Sequence, residues 1–507
     1  MHAMLNGRYE ELLQCLGEIS DLGRARALLA WDQRTMMPPG GAETRAEQLA
    51  TLTRLRHERL SSDELGVLLD RLSPETEELP NESDEASMVR VAHREWEKAR
   101  RVPAALRSEI ARAASLAEGV WQQAKERSDF SLFLPHLERN VELKRRYSEC
   151  FEDAVHPYDP LLDDFEPRAT TAEVRKVLSE LREGLRPLVA AVCRHPDAVD
   201  ASCLHGRFPI EAQRRVVREL VAGLPLEDGS WRLDSTVHPF ATAISTTDLR
   251  LTTRYDESYV GAALWSALHE AGHGIYESGI DPALWRTLLC RPVSLAFHES
   301  QSRLWENWVG RGRAYISWLE PRLRKAFPEQ LGGVDAEGLY RAANRMGSSL
   351  IRMEADELTY NLHIVLRFEL ELEMFEEALR PAELPEAWNA RTSEYLGLEV
   401  PDDARGVLQD VHWAAGSFGY FPTYSLGNVI AGMIWEQASE SLPDLEPQIQ
   451  RGVLAPLRDW LRERLYRHGA KFTPAEMLER ICGDSLSVEP YLGRLERRVK
   501  ELYGATG

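Results

Sequence analysis

The chain has 507 residues, with 61 Lys and Arg against 81 Asp and Glu, a formal net charge of −20. Hydrophobic residues at 43% and charged residues at 28% are ordinary globular usage, which excludes a disordered or fibrous chain. The acid excess also argues against nucleic acid as a partner, because phosphates call for a basic face.

Six cysteines (Cys15, Cys150, Cys193, Cys203, Cys290, Cys482) lie scattered without paired spacing, the usage of free thiols in a reducing compartment. The opening residues lack a basic segment followed by an apolar one, and no run approaches the roughly 18 apolar residues of a membrane span. A soluble cytoplasmic protein with no membrane partner is expected.

Helical periodicity dominates. Leu12, Leu13, Leu16 and Ile19 recur at three and four residues, and Leu106, Ile110, Ala113, Ala117 and Trp121 repeat the pattern after Pro103. His156 to Pro167 reads as a connection between helices. Thr170 and Glu173 have capping-box spacing ahead of Val174, Leu178, Leu181, Leu185 and Leu188. From Trp231 to Tyr255 the pattern changes to period two with β-branched residues, which predicts a small antiparallel sheet with turns near Pro239 and Asp248. Further helix is expected from an N-cap at Asp335 to Leu379, and over most of Pro443 to Leu502. The tryptophans Trp285, Trp305, Trp308 and Trp318 read as core packing.

Between the sheet and Asp335 lies His269-Glu270-Ala271-Gly272-His273, the pattern His-Glu-x-x-His. On a helix the two histidines share a face and bring two imidazole nitrogens to one zinc, while Glu270 can reach water beside it. Val260, Leu264, Ala267, Ala271 and Ile275 supply the apolar stripe, Asp256 to Ser258 a polar start, and Ser278-Gly279 a stop. No third histidine follows closely, so the third ligand is expected to be a carboxylate. Glu277 sits on the same helix, where three consecutive turns fit a tetrahedral ion poorly. Glu299, on a second helical segment flanked by Leu295, Phe297, Leu304 and Trp305, is the predicted ligand.

With these residues in view, the chain resembles the carboxypeptidase Taq family of metallocarboxypeptidases. Besides HEAGH and HESQSR, the resemblance rests on Asp248-Leu249-Arg250-Leu251-Thr252, on Ile351-Arg352-Met353-Glu354-Ala355-Asp356 and on Gly406 through Trp413, with Trp31-Asp32 and Pro157-Tyr158-Asp159 also family-like. It implies a mainly α, neurolysin-like fold with a deep groove and a short antiparallel sheet before the HExxH helix. The whole of 1–507 would be one metallopeptidase domain, with N-terminal helices to about residue 80 as a partial lid and the catalytic motifs within 238–424. It further implies a homodimeric exopeptidase of broad specificity that removes C-terminal residues from peptides, disfavours proline, and uses zinc or, alternatively, cobalt.

In the expected mechanism His269, His273 and Glu299 hold the metal, and Glu270 is the general base for water that attacks the scissile carbonyl. The oxyanion needs a further donor, for which His412, Tyr420 and Tyr424 are candidates; the resemblance favours Tyr424 helped by His412. A guanidinium suits the free C-terminal carboxylate. Arg250, on the polar side of a strand, is the expected anchor, with Thr252 beside it also expected at the substrate, and Arg352 a second anchor or a partner of Asp356. The stretch around His238-Pro239-Phe240 would pair with peptide main chain. An endo-acting oligopeptidase on the same fold is the alternative, distinguished by internal cuts.

Overall fold

The computed structural model describes residues 2–504. The chain divides into two compact units, each assembled from three separated stretches. The first comprises Met1–Arg100, Ala201–Ala343 and Ile434–Ser485, and the second Arg101–Asp200, Asn344–Met433 and Leu486–Gly507. Neither unit is one continuous segment of chain. No helix among the described residues is long and apolar enough to cross a membrane.

In the first unit, the N-terminal helix His2–Thr35 buries Leu12, Leu16 and Ile19 as their spacing predicts. A three-stranded sheet follows later: β1 (Trp231–Ser235), β2 (Ala241–Ser245) and β3 (Asp248–Thr253), in the order β1-β3-β2. It is mixed rather than antiparallel, because β1 runs parallel to β3 and only β2 runs antiparallel to it. The physical reason lies in β3. Its Leu249, Leu251, Thr252 and Thr253 are all buried, so it takes the centre, while the more exposed β1, with Arg232 and Ser235 open to solvent, is left at an edge. The turns expected near Pro239 and Asp248 fall in the connection 236–240, which holds His238-Pro239-Phe240, and at Thr246-Thr247 just before β3.

β3 docks on the HExxH helix, Gly261–Gly279. The Thr253 hydroxyl meets Ser266 Oγ at 2.7 Å and donates to Ala263 O at 3.2 Å. Val260, Leu264, Ala267, Ala271 and Ile275 are buried as the stripe requires, and the helix stops at Gly279. Its start is not the predicted one: Asp256 caps Ser258 in a turn, and the helix begins after Val260 with no side-chain cap. Next comes Leu295–Arg303, N-capped by Ser294, which continues as a π-helical turn over Leu304–Gly310. Trp305 and Trp308 are core residues, but Trp285 is 56% exposed on the stretch between the two helices, against its expected place in the core.

In the second unit the capping box of Thr170 and Glu173 opens the helix Thr171–Cys193, with Val174, Leu178, Leu181, Leu185 and Leu188 buried. The long helix expected from Asp335 to Leu379 is two helices, Ala336–Ala343 in the first unit and Tyr360–Phe375 in the second. Residues 344–359 between them are irregular apart from a 3-10 turn at Arg352–Glu354. Asn344, Gly347, Ser348 and Ser349 break the apolar period, and the Asp356 carboxylate accepts the Leu358 and Thr359 amides in the turn just before the second helix.

Candidate metal centre and surrounding residues

His269 and His273 project from one face of their helix, and Glu299 meets them from the next. One ligand atom from each lies within 4.8 Å of the others. Glu299 Oε2 is 3.7 Å from Nε2 of both histidines. That separation is long for hydrogen bonds, yet close to the roughly 3.4 Å between ligands on a tetrahedral ion with bonds of about 2.1 Å. The two-nitrogen, one-oxygen set fits a catalytic zinc-type ion that keeps one position open.

Gly272 explains how the helices come so close. A Cβ there would lie 2.7 Å from both Gln301 O and Ser302 Cα, so HEAGH uses glycine where backbone touches backbone.

Around the ligands stands a set of charges that sequence reasoning missed. Glu306 Oε2 lies 3.0 Å from His269 Nδ1, which turns Nε2 toward Glu299. Glu306 is gripped in turn by Arg311 at 3.0 Å and Arg303 at 3.4 Å, and Arg303 Nε donates to Glu299 Oε1 at 2.7 Å. Burial would raise the Glu306 carboxyl, but the His269 hydrogen bond and the two guanidiniums hold it well below the usual carboxylate range. The signal was in the sequence: Glu299, Arg303 and Glu306 stand at i, i+4 and i+7, one helix face.

Glu270 is 5% exposed, and burial pushes its carboxyl up to about 7, partly offset by His269. Glu277, the rejected ligand, is also raised to about 7 by burial and lies 3.7 Å from His298 instead.

Arg250 stacks over the Trp31 ring at 4.8 Å, with Arg232 over the same ring at 5.0 Å. Its Nε and Nη2 already donate to Asp248, the latter at 2.9 Å, so only the Nη1–Nη2 edge is left for a two-pronged contact. Thr252 takes a different part from the expected substrate contact. It is fully buried, and its hydroxyl bridges the backbone of Phe240, accepting from N at 2.7 Å and donating to O at 2.8 Å. His238 is exposed in the same connection.

In the second unit, His412 Nε2 lies 3.3 Å from the Tyr424 hydroxyl, and Tyr420 stands beside both rings. Burial, with Arg352 and Arg367 nearby, lowers His412 to about 4, so its ring is neutral at pH 7. Arg352 opens a short 3-10 turn rather than lying on an α-helix, and its partner is not Asp356. It donates to Asp410 through Nε at 3.1 Å and Nη2 at 2.6 Å, and to Tyr360 through Nη1 at 3.0 Å. Arg367 shares the same carboxylate at 2.7 Å. Arg352, 7% exposed, thus pairs with Asp410 and Tyr360.

Residues 11–499 match the family described as carboxypeptidase Taq (M32) metallopeptidases. The chain belongs to that family. Thermostable carboxypeptidase 1 of Thermus thermophilus is 42% identical, covering 98% of this chain and 99% of the relative. Carboxypeptidase 1 of Bacillus subtilis is 37% identical over 97% and 98%. Among solved structures, the M32 carboxypeptidase of Deinococcus radiodurans is similar at a TM-score of 0.95, with 40% identity over 98% of this chain and 100% of that one. Metallocarboxypeptidase 1 of Trypanosoma cruzi is similar at 0.93, with 30% identity over 97% and 99%. Membership makes the chain a metallopeptidase, a hydrolase that depends on a divalent metal, and its fold the mainly helical one of these carboxypeptidases.

Proposed function

We propose that this metallopeptidase is a carboxypeptidase of broad specificity that removes C-terminal residues from peptides, one at a time, and disfavours proline. The convergence of His269, His273 and Glu299 beside the buried Glu270 is the observation that carries the reading. Zinc is the proposed ion, with cobalt a workable substitute, and a cytoplasmic homodimer the proposed setting. Held by His269, His273 and Glu299, a divalent cation would polarise the scissile carbonyl and lower the pKa of the attacking water toward neutral.

The protein's own residues do the rest. Glu270 takes the attacking water's proton on a carboxylate oxygen and returns it to the leaving amine nitrogen. Burial raises this carboxyl, which favours its carrying the proton between the two. Tyr424 donates its phenol hydrogen to the developing oxyanion, and the neutral His412 at 3.3 Å holds that hydroxyl in place, with Tyr420 beside them. Arg250 binds the substrate's terminal carboxylate through its free edge, while Asp248 and Trp31 fix the guanidinium.

A time course on a short peptide tests the reading. Stepwise shortening from the C-terminus is expected, and amidation of that terminus should stop it. Internal cuts that ignore amidation would overturn the exopeptidase assignment and the role of Arg250 together.

A further inference from the structure

The Pro157-Tyr158-Asp159 segment has no place in the chemistry above, and the structure gives it one through Glu371. This glutamate, on the helix Tyr360–Phe375, is fully buried. One carboxylate oxygen, Oε1, accepts Trp413 Nε1 at 2.7 Å. The other, Oε2, accepts the Gly419 amide at 2.9 Å and the Tyr158 hydroxyl. Trp413 directly follows His412, and Gly419 directly precedes Tyr420, so one carboxylate clasps the connecting loop at both ends.

The surroundings allow the loop little room. Gly419 has φ +85°, and a Cβ there would stand 2.4 Å from Leu161 O, so its turn presses on the short helix Asp159–Asp163 that follows Tyr158. Asn140, itself buried, donates to Trp413 O at 3.0 Å and Ala414 O at 2.9 Å. Every group here belongs to the second unit.

We propose that Glu371 is a positioning residue that sets the loop bearing His412 and Tyr420, which leads into the helix Pro422–Ser441 that carries Tyr424, acting through Trp413, Gly419 and Tyr158 without touching substrate. The inference rests on the reading of Tyr424 and His412 as oxyanion donors. A carboxylate is required because three donors converge on its two oxygens. An amide must turn its NH2 toward either Trp413 or the Tyr158–Gly419 pair, setting donor against donor in a buried place.

That requirement makes the test specific. Glu371→Gln should lower kcat about tenfold or more, since small displacements of a catalytic group cost rate steeply, while KM and bound metal stay as in the parent. Adding Trp413→Phe removes the donor that faces Oε1, so Glu371→Gln/Trp413→Phe should recover part of the lost kcat. Tyr424→Phe, measured alongside, should also lose kcat. Parental kcat in Glu371→Gln with Tyr424→Phe impaired would overturn the inference and leave the donor reading standing, as would a double variant no better than the single one. Parental kcat in Tyr424→Phe would overturn the donor reading, and the inference with it. Should Glu371→Gln fail to fold, Tyr158→Phe removes one donor only. A several-fold fall in its kcat at unchanged KM supports the inference, and parental kcat overturns it.

Discussion

Glu306 Oε2 and His269 Nδ1 stand 3.0 Å apart, and this contact fixes which nitrogen of His269 is left for the metal. A ligand histidine held by a carboxylate keeps its tautomer and ring orientation and gains basicity. Glu306 is itself held by Arg303 and Arg311, so the ring rests on a charged framework that does not touch the ion.

Replacing Glu306 with Gln should therefore weaken metal binding about 10- to 100-fold while the three ligands remain. Competition with a chromogenic chelator measures it without recourse to turnover. An unchanged metal affinity would remove Glu306 from the support of the centre.

Gly272→Ala should separate the two metal helices. The added Cβ would lie 2.7 Å from Gln301 O and Ser302 Cα, and backbone cannot yield as a flexible side chain does. Overpacking of this kind costs about 1–3 kcal/mol. Thermal unfolding of the metal-free protein should show a lower Tm, and metal affinity should fall in the same variant.

The pH dependence of stability should carry the mark of Asp410. Burial opposes its charge, but Arg367 and Arg352 hold its carboxyl well below the usual range. A depressed folded pKa stabilises the fold at pH values above the unfolded pKa of about 4, and this contribution is lost as pH falls below that value. Asp410→Asn should accordingly cost about 3–5 kcal/mol at pH 7, because two buried guanidiniums lose their counter-charge. Denaturant unfolding from pH 7 down to pH 3 should show the difference between parent and variant narrowing toward the acid end.

The sequence made the candidate metal centre readable because its residues are local. His269 and His273 are four residues apart on one helix, and Glu299 stands out as an acid among Leu295, Phe297, Leu304 and Trp305. What it hid depends on contacts distant in the chain. The sheet order turns on which strand is most buried, which period-two spacing does not show. The break at 344–359 goes with a turn that Asp356 holds just before the next helix and with Arg352 reaching Asp410, 58 residues away. Thr252 looked like a binding residue because it sits beside Arg250, but in β3 its hydroxyl faces the Phe240 backbone. Trp285 was assigned to the core on composition alone, and the short stretch that bears it leaves the ring in solvent.

The central claim is that His269, His273 and Glu299 hold one divalent ion and that Glu270 works beside it. Metal content and peptide turnover, measured together on the parent, Glu299→Ala and Glu270→Gln, test it most directly. One equivalent of ion per chain is expected in the parent and in Glu270→Gln, with turnover abolished in the latter, and both ion and turnover should be lost in Glu299→Ala. Full metal content in Glu299→Ala, or parental turnover in Glu270→Gln, would contradict the account.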